Sequence, residues 1–276
     1  MRGSKCILAA VAGLAVALLV ASGAKADTVD ITAKVGTPNP TDTVSIYFHG
    51  KLGPNTYTIS GECYAGVINW SNAVDVGNLD TPAPGLLGQM PISFQSGVLN
   101  TYCIDIAEDI SVGETLNPAF TGLTNDLAGT PIVDQTKYPG FNGMTSTTAG
   151  LIENLYANDY SLNPSNDEAA AFQIAIWDII YGTAGYSVAD QTNNQFYVSG
   201  ANSNVVTLAN QYVAGAATNT KPFLDVLALT DPGVQDQLVV GVGPAFFPST
   251  PLPASAISGI VLLGGLAVAK RMRRDR

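Results

Sequence analysis

The segment 165–182, SNDEAAAFQIAIWDIIYG, constrains this chain more than any other. Ser165 and Glu168 stand in the S-x-x-E arrangement of a capping box, where hydroxyl and carboxylate satisfy the first free N–H groups of a helix. Apolar residues then recur at helical spacing, and Gly182 and Gly185 stand where such a helix can end. Gln173 shares a stripe with Ile176, Trp177 and Ile180, at offsets of three, four and seven. That stripe is the face a helix buries. A primary amide buried there without partners costs about 1–3 kcal/mol. The segment therefore needs a core large enough to cover it, and Gln173 needs a partner.

The first half of the chain supplies β structure. DTVSIYFHG, NTYTISG, CYAGVINW and GVLNTYCIDI are rich in Val, Ile, Tyr and Thr and are punctuated by Gly, Pro and Asn at hairpin spacing. NLDTPAPGLLGQMP between two of them reads as a loop. From about Thr147 the period changes, and TAGLIENLYANDY places Leu151, Ile152, Leu155 and Tyr156 on one helical face. NSNVVTLANQYVAGAA predicts a third helix, and FLDVLALT and QLVVGVG return to strands. The expected fold class is α+β: one β-rich domain over 27–242, with a helical insertion that carries Gln173.

Both ends read as sorting segments. Residues 1–26 have Arg2 and Lys5, an apolar run, then Ala24-Lys25-Ala26, which describes a secretory signal peptide cleaved before Asp27. After a linker over 243–250, residues 251–276 carry Pro251-Leu252-Pro253, an apolar run from Ala254 to Ala269 and a basic tail. The run predicts a transmembrane helix with its Arg/Lys cluster on the cytoplasmic side. This tail resembles the PEP-CTERM sorting signal of Gram-negative bacteria that make extracellular polysaccharide, with Leu252 in place of the usual Glu. The resemblance implies an exosortase-type processing enzyme as a partner. It also implies export to the outer surface or extracellular matrix, after transient anchoring in the inner membrane.

Without these ends, four lysines (Lys34, Lys51, Lys137, Lys221) and no arginine face twenty-one acids, a balance of about −17. Such a surface repels phosphate backbones, so nucleic acid is not an expected partner. The chain has no Gly-rich phosphate loop, no G-x-S-x-G and no Cys or His cluster at zinc spacing, and no cofactor or metal is expected. Its one histidine, His49, alternates with Tyr47 on a strand and reads as structural. Asp105, Glu108 and Asp109 read as a solvated acidic turn, since they lack the alternating oxygen ligands of a calcium loop.

Cysteine leaves two alternatives open. Cys6 departs with the signal, so Cys63 and Cys103 remain. A disulfide between them would close a loop of forty residues and stabilise the fold by about 3–4 kcal/mol. That reading describes a non-reactive structural protein of an exopolysaccharide matrix. The other begins from two motifs: Tyr102-Cys103-Ile104-Asp105, on a strand where Cys103 and Asp105 share a face, and Phe172-Gln173-Ile174-Ala175-Ile176-Trp177 seventy residues later. The pair resembles the thioester domain of bacterial surface adhesins. The resemblance implies a covalent bond between the Cys103 sulfur and the Gln173 side chain, with Tyr102, Asp105 and Trp177 as supporting residues. It further implies covalent attachment to amines on a surface or matrix molecule, a single-turnover transfer rather than enzyme turnover. A third reading, a carbohydrate-binding β domain, rests on Trp70 and several tyrosines as exposed aromatics.

Overall fold

Strand β2 (Thr41–Leu52) shows how the core is organised. Val44, Ile46, Phe48 and Leu52 are buried, while Thr43, Tyr47, His49 and Lys51 alternate with them on the exposed face. In the computed structural model, which describes residues 27–36, 38–39, 41–52, 55–75, 98–108, 110–124, 127–130, 143–218, 226–231 and 233–240, β2 is the centre of a three-stranded antiparallel sheet. Its neighbours are β3 (Asn55–Gly66) and β7 (Phe196–Ser199).

The second sheet closes into a six-stranded antiparallel barrel. It comprises β1 (Asp27–Val35), β4 (Ile68–Asp75), β5 (Val98–Cys103), β6 (Thr115–Thr124), β8 (Val226–Asp231) and β9 (Val234–Val240). The order around the barrel is β1-β4-β5-β9-β8-β6, and β6 returns to β1. Closure leaves no open edge. Val67 alone separates β3 from β4, so the chain passes there from one sheet to the other. CYAGVINW, expected as one strand, is divided at that residue.

Helices α1 (Ser146–Asp159), α2 (Asn166–Tyr181) and α3 (Ser203–Thr218) form the helical region beside the sheets. The architecture is thus mixed α+β. At the start of α2, Glu168 N–H donates to Ser165 Oγ at 3.3 Å, and Ser165 N–H donates to Glu168 Oε2 at 2.7 Å. This is the capping box expected from the sequence. Helix α2 packs against α1 and α3 and also against β2, β3 and β7, so it is buried continuously from Ala169 to Asp178. Ile174 and Ile176 are fully buried, each worth about 1.5–3 kcal/mol of apolar burial. The helix stops at Gly182, whose N–H donates to Asp178 O at 2.8 Å. A Cβ at Gly182 would lie 2.5 Å from that same oxygen and against the Asp178 carboxylate, so only glycine fits.

Two expectations require correction. Strand β5 ends at Cys103, so Asp105 does not share a strand face with it. Ala107 N–H donates to Asp105 Oδ1 at 2.6 Å, and this local side-chain turn competes with continuation of the ladder. The expected transmembrane helix is also corrected, and with it the membrane as partner and the transient inner-membrane anchoring. Among the described residues no helix is long and apolar enough to cross a membrane. The longest, α2 and α3, have 16 residues, about 24 Å at 1.5 Å each, against a hydrocarbon core of about 30 Å. Residues 1–26, 243–250 and 251–276, with Pro251, Leu252 and Pro253, lie outside the described residues, as does Asp109.

Candidate functional site

The backbone of Cys103 explains where Gln173 finds its partners. Strand β4 begins at Ile68, opposite Thr101 of β5, and the chain then belongs to the other sheet. On the other side of β5, Ile104 N–H donates to Asp236 O at 3.0 Å, so the N–H and C=O of Cys103 point away from β9. The next residue pair along the β4 ladder is missing. Gln173 takes its place: Cys103 N–H donates to Gln173 Oε1 at 2.8 Å, and Gln173 Nε2 donates to Cys103 O at 2.7 Å. The side-chain amide acts as one more rung of the sheet, and the buried amide is satisfied on both sides.

This clasp puts the amide beside the Cys103 side chain, which is itself buried. The thiol donates to Asp105 O at 2.9 Å. Burial pushes the thiol pKa well up, and the nearby Asp105 carboxyl adds to that. Trp177, one turn beyond Gln173 on α2, is 3% exposed and stacks no closer than a tilted 6.2 Å contact with Phe196. Among the described residues its indole N–H completes no hydrogen bond, yet as a nearby donor it favours the Cys103 thiolate. Cys103 and Trp177 lie along a groove of about 620 Å³ that also includes Glu62, Cys63, Tyr64 and Gln235. No disulfide joins Cys63 to Cys103, although both border this groove.

Below the sulfur lies a group of acids. Asp105 and Glu108 are buried, which overturns the expected solvated turn. Burial and the adjacent Glu108 push Asp105 up to about 8, and its Oδ2 has no hydrogen-bond partner among the described residues. Burial, with Asp105 and Glu108 close by, also pushes Asp236 up to about 8. Both carboxyls are therefore shifted toward the protonated form. Gln235 Nε2 secures this turn by donating to Asp105 O at 2.9 Å and Glu108 O at 2.7 Å. A polar chain continues across the barrel: Trp70 Nε1 donates to Thr101 Oγ1, Thr101 to Gln237 Oε1, and Gln237 Nε2 to Gln235. Trp70 is fully buried, so it is withdrawn from the exposed aromatics of the carbohydrate-binding reading.

The remaining sequence candidates occupy separate places. The Tyr102 ring points to the opposite side of β5 from the sulfur, against Phe172 at 4.8 Å and Tyr156 at 6.4 Å. Exposed His49 pairs its Nδ1 with Thr58 Oγ1 at 2.8 Å on the outer face of the three-stranded sheet. Among the described residues no three Cys, His, Asp or Glu side chains are arranged to hold a metal ion. The sequence reading missed Gln235, Asp236 and Gln237, and also Tyr181, whose hydroxyl donates to Ile104 O at 2.7 Å. The only signal for the three strand residues is polar side chains at the start of an otherwise apolar strand, VQDQLVV.

Comparison of the chain with family models, curated proteins and solved structures finds no match.

Proposed function

We propose that Cys103 and Gln173 are the two ends of an internal thioester, in an exported surface or matrix protein that uses it to bind amines covalently. One observation carries this reading. The Gln173 amide is held by both backbone groups of the residue whose sulfur would attack it. Such positioning replaces a random encounter by a fixed one. Sγ attacks Gln173 Cδ, the C–N bond breaks, ammonia leaves with the thiol proton, and a C–S bond remains. Cys103 N–H already donates to Oε1, so charge that develops on this oxygen meets a donor in place. Burial of both side chains keeps water from the acyl group. An amine that enters by the groove then attacks Cδ, the C–S bond breaks, sulfur regains a proton, and Gln173 becomes a substituted amide.

The same two hydrogen bonds favour a second reading, in which Gln173 is an inert clasp between α2 and β5. Incubation with methylamine separates them. The thioester reading predicts one methylamine retained at Gln173, abolished by Cys103→Ala. An inert clasp predicts no uptake in either protein.

A further inference from the structure

We infer that the Trp177 indole N–H is the donor that stabilises negative charge on the Cys103 sulfur, as nucleophile when the thioester forms and as leaving group when an amine opens it. The inference rests on the thioester reading and adds a role that the resemblance does not assign. Three observations meet at this N–H. It belongs to a side chain that is 3% exposed, and it completes no hydrogen bond among the described residues. A buried donor left unmade costs about 1–3 kcal/mol, so its retention needs a state in which it is used. Its side chain projects from α2 four residues after Gln173, on the same face, and Trp177 borders the same groove as Cys103.

The resting thiol does not use this donor, because its proton goes to Asp105 O and a neutral sulfur is a weak acceptor. A thiolate is a much stronger acceptor. When an amine attacks Gln173 Cδ and the C–S bond breaks, the electron pair goes to Sγ, and Trp177 lines the same groove as that sulfur. Cys103 has no lysine, arginine or histidine among the groups that shift its pKa. Burial, the Asp105 carboxyl and Cys63 disfavour the anion, whereas the Trp177 side chain and the Asp105 backbone favour it, so Trp177 is the side chain among them that does so. Shielding the bond from water needs only the bulk of the ring. Stabilising the sulfur needs the N–H.

The test is Trp177→Phe, with Trp177 replaced by 3-benzothienylalanine as the second variant, which keeps the ring shape and lacks the donor. Methylamine treatment of the full chain releases the Cys103 thiol and leaves Gln173 as an N-methylamide. Alkylation of Cys103 by iodoacetamide is then followed against pH, with the Cys103 peptide read apart from that of Cys63. Loss of the donor predicts alkylation about tenfold slower at a fixed pH below the midpoint, equal to a midpoint about one pH unit higher. An unmoved midpoint in the benzothienyl protein overturns the inference, as does faster alkylation at every pH, which marks a merely opened groove. If no thioester forms, untreated protein already presents the same thiol and the midpoint is measured there. Failure of the thioester and failure of the donor are thus separate results.

Discussion

Substituting Cys103→Ser removes the sulfur while keeping every backbone group that Gln173 binds. The consequence depends on whether a bond exists between the two side chains. A link between Cys103 and Gln173 closes a loop of 70 residues, and chain entropy assigns such a closure about 4 kcal/mol of stability. The serine protein regains the hydrogen bond from Gln173 Nε2 to Cys103 O, worth about 1 kcal/mol. The serine hydroxyl can donate to Asp105 O as the thiol does, so no further polar group is stranded. The net loss is therefore about 3 kcal/mol. With a urea m-value of about 2 kcal/mol/M, the midpoint falls by about 1.5 M, and m itself rises because the unlinked chain expands further. Urea unfolding at mildly acidic pH, with intact mass checked before and after, reads both quantities. A loss below about 1 kcal/mol with unchanged m would show that no cross-link is present, and the reasoning from clasp to covalent bond would fail.

Other outcomes follow from the surrounding groups. Asp105 and Asp236 are raised by burial to about 8 and Asp178 to about 6, so the folded state holds protons that the unfolded state releases near pH 4. Stability from these groups is complete below about pH 4 and is lost as pH rises through about 6 and then about 8; thermal melts of Asp105→Asn should show a shallower decline over that range. Gly182→Ala forces a Cβ to 2.5 Å from Asp178 O and is expected to cost about 1–3 kcal/mol in chemical unfolding. Asn194→Ala strands Asp178 Oδ1 and the N–H of Thr183, each now bonded at 2.7 Å, for an expected loss of about 2–3 kcal/mol by the same measurement.

Helix α2 was legible because its signals agree: a capping box, apolar residues at helical period and a terminal glycine all mark the same boundaries. Strand β2 was legible for a similar reason, since one face is buried and the other exposed. The barrel was not. Strand β6 contains Pro118 and Gly122, which read as loop residues, and β7 has only four residues. Strand β1 pairs with β4 and β6, partners distant in the chain, and no local pattern reveals such closure. The site divided along the same line. Cys103 and Gln173 were visible as a pair of motifs, and the structure brings them together. Gln237, which supports the turn through Gln235, lies 136 residues from its partner Thr101, and only the pairing of β5 with β9 brings them into contact. Asp105 was misread because an acid between short strands is normally solvated, whereas here the barrel end and α2 enclose it.

The intact mass of freshly isolated, untreated protein tests the central claim most directly. A joined Cys103 and Gln173 make the chain lighter than its sequence by one ammonia, with the deficit confined to the peptides that carry those two residues. Full sequence mass, or a deficit of two hydrogens from a Cys63–Cys103 disulfide, would contradict the account.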